Sequence, residues 1–364
     1  MDKHVAFVIS RPYVDALACF REPIRFLAEK GWKVDLYTQL CGNSSFPCFF
    51  QANIAVIPLE TGKYGSILLL KRLVFHRPKY QWIFVVPGID FHYVALASRI
   101  AKIPYVCISD EIMTDNEAVT REQRKARVRE KNAHRRAAFT IALSEERISL
   151  IRDVNKLGLD HEIFMVPNSS PAPSKRLVSH YFHETLNISR EKKILVHAGS
   201  WWWRLDFMEI EKVVQQWRGD TVLVFQGRNM NPKFGKNEFT TNIRFSMNVL
   251  PSYLLDYAIS SADIGLALYD TNTVNHQNVG TAGGKIPLYM KNELPVIATY
   301  QKSLEWIESE GCGVCVRSLH DIEKARDKIS EKYNWYVENV KRTYTKRLDF
   351  NKHFEPVYSR LSLG

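Results

Sequence analysis

Short apolar runs alternate with amphipathic helical stretches along almost the whole chain, and halfway through the alternation starts afresh. Residues 5–10, 33–38, 54–59, 82–87, 105–109, 139–143 and 164–167 are strand-length and rich in Val, Ile and Phe. Between them lie helical patterns at 23–30, stopped by Gly31, at 93–102, and in a long charged stretch to about Arg136. Strands that alternate with helices make parallel sheets, because a crossover must carry the chain back to the same end of the sheet. Residues 167–173, Pro-Asn-Ser-Ser-Pro-Ala-Pro, are loop chemistry throughout. The rhythm then resumes with strands at 193–198, 221–226, 243–245, 264–268, 295–299 and 313–316 and helices near 207–217, 252–260, 284–291 and from Leu319 onward. A length of 364 residues is too great for one ordinary core. The expectation is therefore two doubly wound α/β domains facing a cleft, at 1–170 and 191–345, joined by a linker at 171–190. Open sheets of this kind bind ligands outside the carboxyl ends of their strands.

Composition narrows the function classes. Hydrophobic residues at 45% and charged residues at 24% describe a globular chain. No run of 18 apolar residues occurs, and Met1-Asp2-Lys3-His4 precedes a short strand, so the expectation is a cytoplasmic protein with neither a membrane span nor a secretory signal. Cys19, Cys41, Cys48, Cys107, Cys312 and Cys315 are scattered among apolar neighbours, which suits reduced thiols. Cys312-Gly-Val-Cys315 has the spacing of a redox or zinc pair, but no second pair follows it and the stretch reads as a glycine turn into a strand. No metal site is expected.

The formal charge of +11 requires an acidic partner to be considered. Arg121, Arg124, Lys125, Arg127, Arg129, Lys131, Arg135 and Arg136 stand against only Glu122 and Glu130, which on a helix gives a positive face. That face is either simply solvated or directed at an anionic membrane or an acceptor phosphate. Residues 66–77 join an apolar run to Lys71, Arg72, His76 and Arg77, and suit either packing on a sheet or an interfacial helix. No nucleic-acid-binding signature is present, and no nucleic-acid partner is expected.

The stretch Gly280-Thr281-Ala282-Gly283-Gly284-Lys285 looks like a phosphate-binding loop. It fails the P-loop pattern at both ends, because Val279 stands five positions before Gly284 and Ile286 follows Lys285. What remains is a run of small residues whose amides are uncovered ahead of a helix, a place that favours an anion. The same glycines serve equally to make a turn.

Taken together, residues 194–200 (Ile-Leu-Val-His-Ala-Gly-Ser), 221–228 (Thr-Val-Leu-Val-Phe-Gln-Gly-Arg), 261–268, 284–299 and 310–314 (Glu-Gly-Cys-Gly-Val) resemble, in order and spacing, the C-terminal domain of GT-B glycosyltransferases of the group 1 family. Residues 21–35, 145–147 and 166–168 are similar to its N-terminal half, and 350–361 resemble the helix over 346–364 that crosses back to that half. The resemblance implies two Rossmann-like domains and transfer of a sugar from a nucleotide-diphosphate sugar to an acceptor hydroxyl, without a metal or other cofactor. It implies a donor diphosphate held by Gly280, Thr281, Gly283, Gly284 and Lys285, with Gly199, Arg204 and Arg228 nearby and Tyr269 and Tyr289 lining the pocket. Trp201, Trp202 and Trp203 could stack a base or sugar. Asp110 is the first candidate for a general base and Glu111 the second. Both also suit the start of the following helix. Arg11 and Asp15 are expected on the acceptor side.

The chain departs from the family pattern twice. Gly280 and Leu288 stand where the usual pair of glutamates would be, so the nucleotide is not fixed by analogy. Arg11-Pro-Tyr-Val-Asp15 replaces the usual Gly-Gly loop, which leaves retention or inversion open. The expected role is synthesis of a bacterial surface polysaccharide or lipopolysaccharide, with a glycan or lipid-linked acceptor and peripheral contact with the inner membrane face. The alternatives are an inactive GT-B binding subunit and a GT-B epimerase.

Overall fold

The computed structural model describes residues 3–12, 14–40, 51–60, 62–88, 90–199, 206–228 and 242–363. The chain divides into two units, Met1–Asn168 with Phe350–Gly364, and Ser169–Asp349.

In the first unit the strands are β1 (His4–Ile9), β2 (Lys33–Thr38), β3 (Ile54–Pro58), β4 (Trp82–Val85), β5 (Tyr105–Ser109), β6 (Phe139–Ala142) and β7 (Ile163–Met165). They form one parallel sheet in the order β3-β2-β1-β4-β5-β6-β7. The crossovers run through α1 (Ala18–Glu29), α2 (Gly62–Phe75), α3 (Phe91–Ala101), α4 (Arg121–Arg136) and α5 (Glu145–Asn155). Every residue of β1, β4, β5 and β6 is buried, as a parallel sheet covered on both faces requires, and this is why these strands read as unbroken apolar runs. Strand order reverses between β1 and β4, so the ends of those strands open the crevice in which such sheets bind ligands.

Helix α1 starts at Ala18, earlier than the 23–30 pattern suggests, and Pro23 lies inside it. Its first turn forms on the Leu17 carbonyl, which accepts from Phe20 N at 3.0 Å and Arg21 N at 2.9 Å. The amide of Cys19, one of the orphan donors of that turn, is met by Asn168 Oδ1 at 2.9 Å. The helix ends at Gly31, whose φ of 81° is the left-handed cap that a side chain would resist.

The second unit repeats the plan with β8 (Lys193–Ala198), β9 (Thr221–Gln226), β10 (Ile243–Ser246), β11 (Ile264–Ala267), β12 (Val296–Thr299) and β13 (Gly313–Val316), in the order β10-β9-β8-β11-β12-β13. Its helices are α6 (Tyr181–Thr185), α7 (Phe207–Gln215), α8 (Ser252–Ser260), α9 (Val274–Gln277), α10 (Lys285–Lys291), α11 (Trp306–Ser309), α12 (Ile322–Glu331) and α13 (Tyr333–Thr343). Alternation along β8 divides the core in two. Ile194, Val196 and Ala198 pack with Ile286, Tyr289 and Met290 of α10, whereas Leu195 packs with Ile210 and Val214 of α7 and Ile329 of α12. Helix α10 lies close on the sheet because β11 carries Gly265, where a Cβ would stand 2.2 Å from the Tyr289 ring.

The chain then rejoins the first unit as α14 (Phe350–Ser362). Phe26 of α1 meets Phe354 and Tyr358 edge to face at 5.1 and 5.6 Å. Trp82 Nε1 donates to the Leu361 carbonyl at 3.1 Å. Among the described residues no helix is long and apolar enough to cross a membrane. Cys19, Cys107 and Cys312 are buried free thiols and Cys315 is half-buried.

Candidate functional site

In the second unit the ends of the strands at the β8/β11 switch are built from glycine and one lysine. Gly199 and Gly227 directly follow β8 and β9, with φ of 113° and 136°. A Cβ on Gly227 would stand 2.2 Å from the Gly199 carbonyl oxygen, so these chain ends approach more closely than any side chain permits. Lys285 opens α10 directly after the helix cap Gly284. Its side chain folds over Gly199, where a Cβ would lie 3.4 Å from Lys285 Cε and 3.5 Å from Nζ. Nζ also stands 5.4 Å from the centre of the Tyr269 ring. Burial pushes the ammonium down to about 8, and among the described residues no carboxylate acts to hold it up. Beneath it, His197 in β8 is 1% exposed, and burial together with the charge of Lys285 keeps the ring neutral.

The loop before α10 makes a turn, with Ala282 N bonded to the Val279 carbonyl at 2.7 Å. It also presses on Tyr269, since a Cβ on Gly283 would sit 2.4 Å from the Tyr269 hydroxyl. Thr281 and Gly280 are buried in it, and Gly284 is exposed at its end. Chemically, this corner offers a partly desolvated cation beside small residues, an arrangement suited to phosphate oxygens.

In the first unit a cavity of about 220 Å³ opens at the ends of β1, β2, β3 and β4. Its lining includes Ser10, Arg11, Gln39, Glu60, Ser66 and Asp90. Asp90, immediately before α3, accepts from the hydroxyls of both Ser10 and Ser66, the latter at 2.7 Å. The Arg11 guanidinium makes an ion pair with Asp110 at the end of β5, with a further contact of 3.4 Å. Arg147 of α5 donates to the Asp110 carbonyl. Burial holds the Asp110 carboxyl above its usual range despite the charges of Arg11 and Arg147. This end of the sheet therefore presents oxygen acceptors steadied by one arginine, suited to hydroxyl groups.

Residues 205–349 match the family model described as the glucosyltransferase 3-like C-terminal domain. No curated protein matches the sequence. HepE of Anabaena, in complex with UDP and glucose, superposes with a TM-score of 0.71 at 13% identity over 100% of each chain. Sucrose-phosphate synthase of Thermosynechococcus elongatus gives 0.68 at 14% over 99% of each. A glycosyltransferase of Rickettsia africae gives 0.71 at 11%, covering 99% of this chain and 98% of that one. The fold is GT-B.

On this GT-B frame the residues expected at the donor site are distributed unevenly. Gly199, Tyr269, Gly283 and Lys285 come together, and Gly280, Thr281 and Gly284 belong to the loop that leads into Lys285. Arg228 follows Gly227 and is half-buried. Arg204 and Trp201, Trp202 and Trp203 lie outside the described residues. Tyr289 does not line a pocket. It is 0% exposed, and its hydroxyl accepts from Ala198 N at 2.7 Å and donates to the Leu266 carbonyl at 3.0 Å, which makes it a strut between β8 and β11.

On the acceptor side Arg11 and Asp110 meet, and Glu111 is exposed beside them. Neither acid begins a helix, since α4 starts at Arg121 with Thr120 as its cap. Asp15 turns inward and is 5% exposed, with burial raising its carboxyl pKa and Arg21 donating to its carbonyl at 2.7 Å. It is not among the residues that line the cavity. Asp90 escaped the sequence reading, although Gly88-Ile-Asp90 follows β4 as Asp110 follows β5, and the position after each strand was the signal to follow.

The basic block also separates into parts. Arg127 is buried, bonded to Glu130 at 2.8 Å and Asn155 at 2.9 Å, and Lys131 is tied to Asp115 at 2.5 Å. Arg121, Arg124, Lys125, Arg129, Arg135 and Arg136 remain exposed.

Proposed function

We propose that this GT-B chain is a glycosyltransferase that moves a sugar from a nucleotide-diphosphate sugar to an acceptor hydroxyl. In the reaction the bond between the anomeric carbon and the β-phosphate oxygen breaks and a glycosidic carbon–oxygen bond forms. The hydroxyl proton goes to a base and the nucleoside diphosphate leaves. The observation that carries the proposal is Lys285, a half-buried ammonium on which no carboxylate of the described residues acts, held against Gly199 at the switch point of the second sheet. A leaving diphosphate needs such a charge, and one supplied by the protein does the work without a metal cofactor. HepE is seen with UDP and glucose, so a UDP-sugar is the donor assigned here.

The first unit supplies the acceptor side of the proposal. Asp110 takes the hydroxyl proton, with Glu111 as the second candidate, and Asp90 and Arg11 orient the acceptor. Lipid-linked acceptors at the cytoplasmic membrane face, in the assembly of a bacterial surface glycan, fit two features. One is the exposed arginine face of α4. The other is α2, where Tyr64 and Phe75 are 72% and 71% exposed beside Lys63, Lys71 and Arg72.

A thermal-shift series with nucleoside diphosphates tests the reading. UDP is expected to raise the melting temperature of the wild type and, at the same concentration, to raise that of Lys285→Ala far less, because a ligand stabilises the native state according to how tightly it binds it. If no nucleoside diphosphate shifts the wild type, the proposal fails. Turnover of UDP-sugar without any acceptor, giving the epimeric UDP-sugar, would replace transfer with epimerisation.

A further inference from the structure

At the amino half of the first sheet, away from the strand ends that form the cavity, three metal-ligating side chains meet. His4 opens β1, Asp35 lies in β2 opposite Ala6, and His76 follows α2 on the way to β4. His4 Nε2 is 3.4 Å and His76 Nε2 3.8 Å from the same oxygen, Asp35 Oδ2, and one ligand atom from each residue lies within 4.8 Å of the others.

The hydrogen bonds around this group decide what it can hold. Tyr80 Oη stands 2.5 Å from Asp35 Oδ2, 3.1 Å from His76 Nδ1 and 2.9 Å from the Tyr37 hydroxyl. Tyr80 has one proton, and the carboxylate can only accept, so Tyr80 donates there and accepts from His76 Nδ1–H. In the neutral ring that leaves the lone pair on Nε2, the nitrogen that faces the carboxylate. His4, with a side chain only 9% exposed, has a buried Nδ1 that finds no hydrogen-bond partner, so no hydrogen bond at that nitrogen commits the ring elsewhere.

We propose that His4, Asp35 and His76 form a binding site for a divalent cation of the zinc class. Ligands at about 2.0–2.2 Å in tetrahedral array stand roughly 3.3–3.5 Å apart, so the 3.4 Å from His4 to Asp35 already fits, the 3.8 Å from His76 to Asp35 closes by a few tenths of an ångström, and the widest separation, within 4.8 Å, closes by at most about 1.5 Å. Two imidazoles and one carboxylate suit Zn²⁺ rather than Mg²⁺ or Ca²⁺. Tyr80 acts behind the ligands, orienting both Asp35 and His76, as outer-shell groups do in metal sites. His76 is half-buried, which leaves the fourth position to water. The ion would clip β1, β2 and the α2–β4 link together, at the opposite end of these strands from the first unit's cavity.

The test uses the full-length chain without a histidine tag, stripped with a chelator and titrated with Zn²⁺ or Co²⁺ alone. The expected result is one equivalent bound, a visible Co²⁺ absorption of a four- or five-coordinate site, and a melting temperature that rises with Zn²⁺. His76→Gln and Asp35→Asn should each weaken binding about 10–100-fold and lose the rise, while His320→Gln, at an exposed residue elsewhere, keeps both. Circular dichroism of the metal-free variants checks that they fold. His76 is the safer variant because its side chain is 25% exposed. If the wild type binds no equivalent, or binds no more tightly than His76→Gln, the site is overturned. UDP binding is read separately, so its failure would leave this result standing.

Discussion

The two switch points have the same topology and opposite chemistry. In each sheet the strand order reverses beside the first strand of the unit, between β1 and β4 and between β8 and β11. The residue after that first strand is Ser10 in one unit and Gly199 in the other. Ser10 donates its hydroxyl to Asp90, and with Asp110 paired to the Arg11 guanidinium this end presents carboxylate oxygens steadied by one cation. Gly199 has no side chain, and the space is taken by the ammonium of Lys285. On the proposed reading, topology decides where a ligand sits, and one or two side chains decide whether it is a hydroxyl or an anion.

The sharpest way to break this comparison is to put a methyl group where the second unit permits none. Gly227→Ala places a Cβ 2.2 Å from the Gly199 carbonyl oxygen at a φ of 136°. Neither the backbone oxygen nor the dihedral can yield cheaply, so a loss of about 3 kcal/mol or more is expected, read as a lower midpoint in urea with an unchanged slope. A midpoint within experimental error of the wild type would show that the strand ends are not held this closely.

Next in size is the exchange of charge. Lys285→Ala should weaken UDP binding about 100-fold, roughly 2.7 kcal/mol, while leaving affinity for uridine unchanged, since only the diphosphate meets the ammonium. Asp90→Ala makes the reciprocal case. It should leave UDP affinity intact and lower kcat/KM for the acceptor about tenfold, because Ser10 and Ser66 lose the group that holds them. Isothermal titration for the donor and initial rates against acceptor concentration separate the two, and an Asp90→Ala variant with weakened UDP binding would contradict the division of labour.

Periodicity exposed the frame more readily than the site. Both sheets are legible because buried parallel strands are continuous apolar runs, and the restart after Pro173 marks a second unit. That Lys285 opens a helix was legible from its glycine-rich lead-in. Tyr289 was misjudged because a tyrosine on a helix next to a glycine loop looks like pocket lining. Only the coordinates show Gly265 opening a slot that buries the ring and commits the hydroxyl to Ala198 and Leu266. His4, Asp35 and His76 were missed for a different reason. Their separations, from 4 to 35 and from 35 to 76, carry no local pattern, and only the pairing of β1 with β2, which sets Asp35 opposite Ala6, brings it diagonally across from His4 on the same face of the sheet.

The smallest effect tests the most specific point, that the Lys285 ammonium is buried before any ligand arrives. Its pKa lies at about 8 in the folded chain against 10.5 for the ordinary group. Between those values the unfolded chain keeps a proton that the folded chain has shed, so stability rises with pH across this window, and below about 8 the full cost of burying the charge is present. Lys285→Met, which keeps the length and removes the charge, should therefore raise the melting temperature of the ligand-free protein at pH 7 by roughly 1–3 °C, with the gain shrinking from pH 8 toward 10.5. UDP affinity of the wild type should be flat between about pH 7 and 8 and weaken above that, by up to about tenfold per unit while the free protein has shed the proton and the complex still holds it, levelling off once both have shed it. The Lys285→Met variant should bind UDP weakly with no step near pH 8. A ligand-free Lys285→Met protein that melts lower than the wild type at pH 7 would mean that the lysine stabilises its corner rather than straining it, and the second unit would then owe its preference for anions to the loop amides alone.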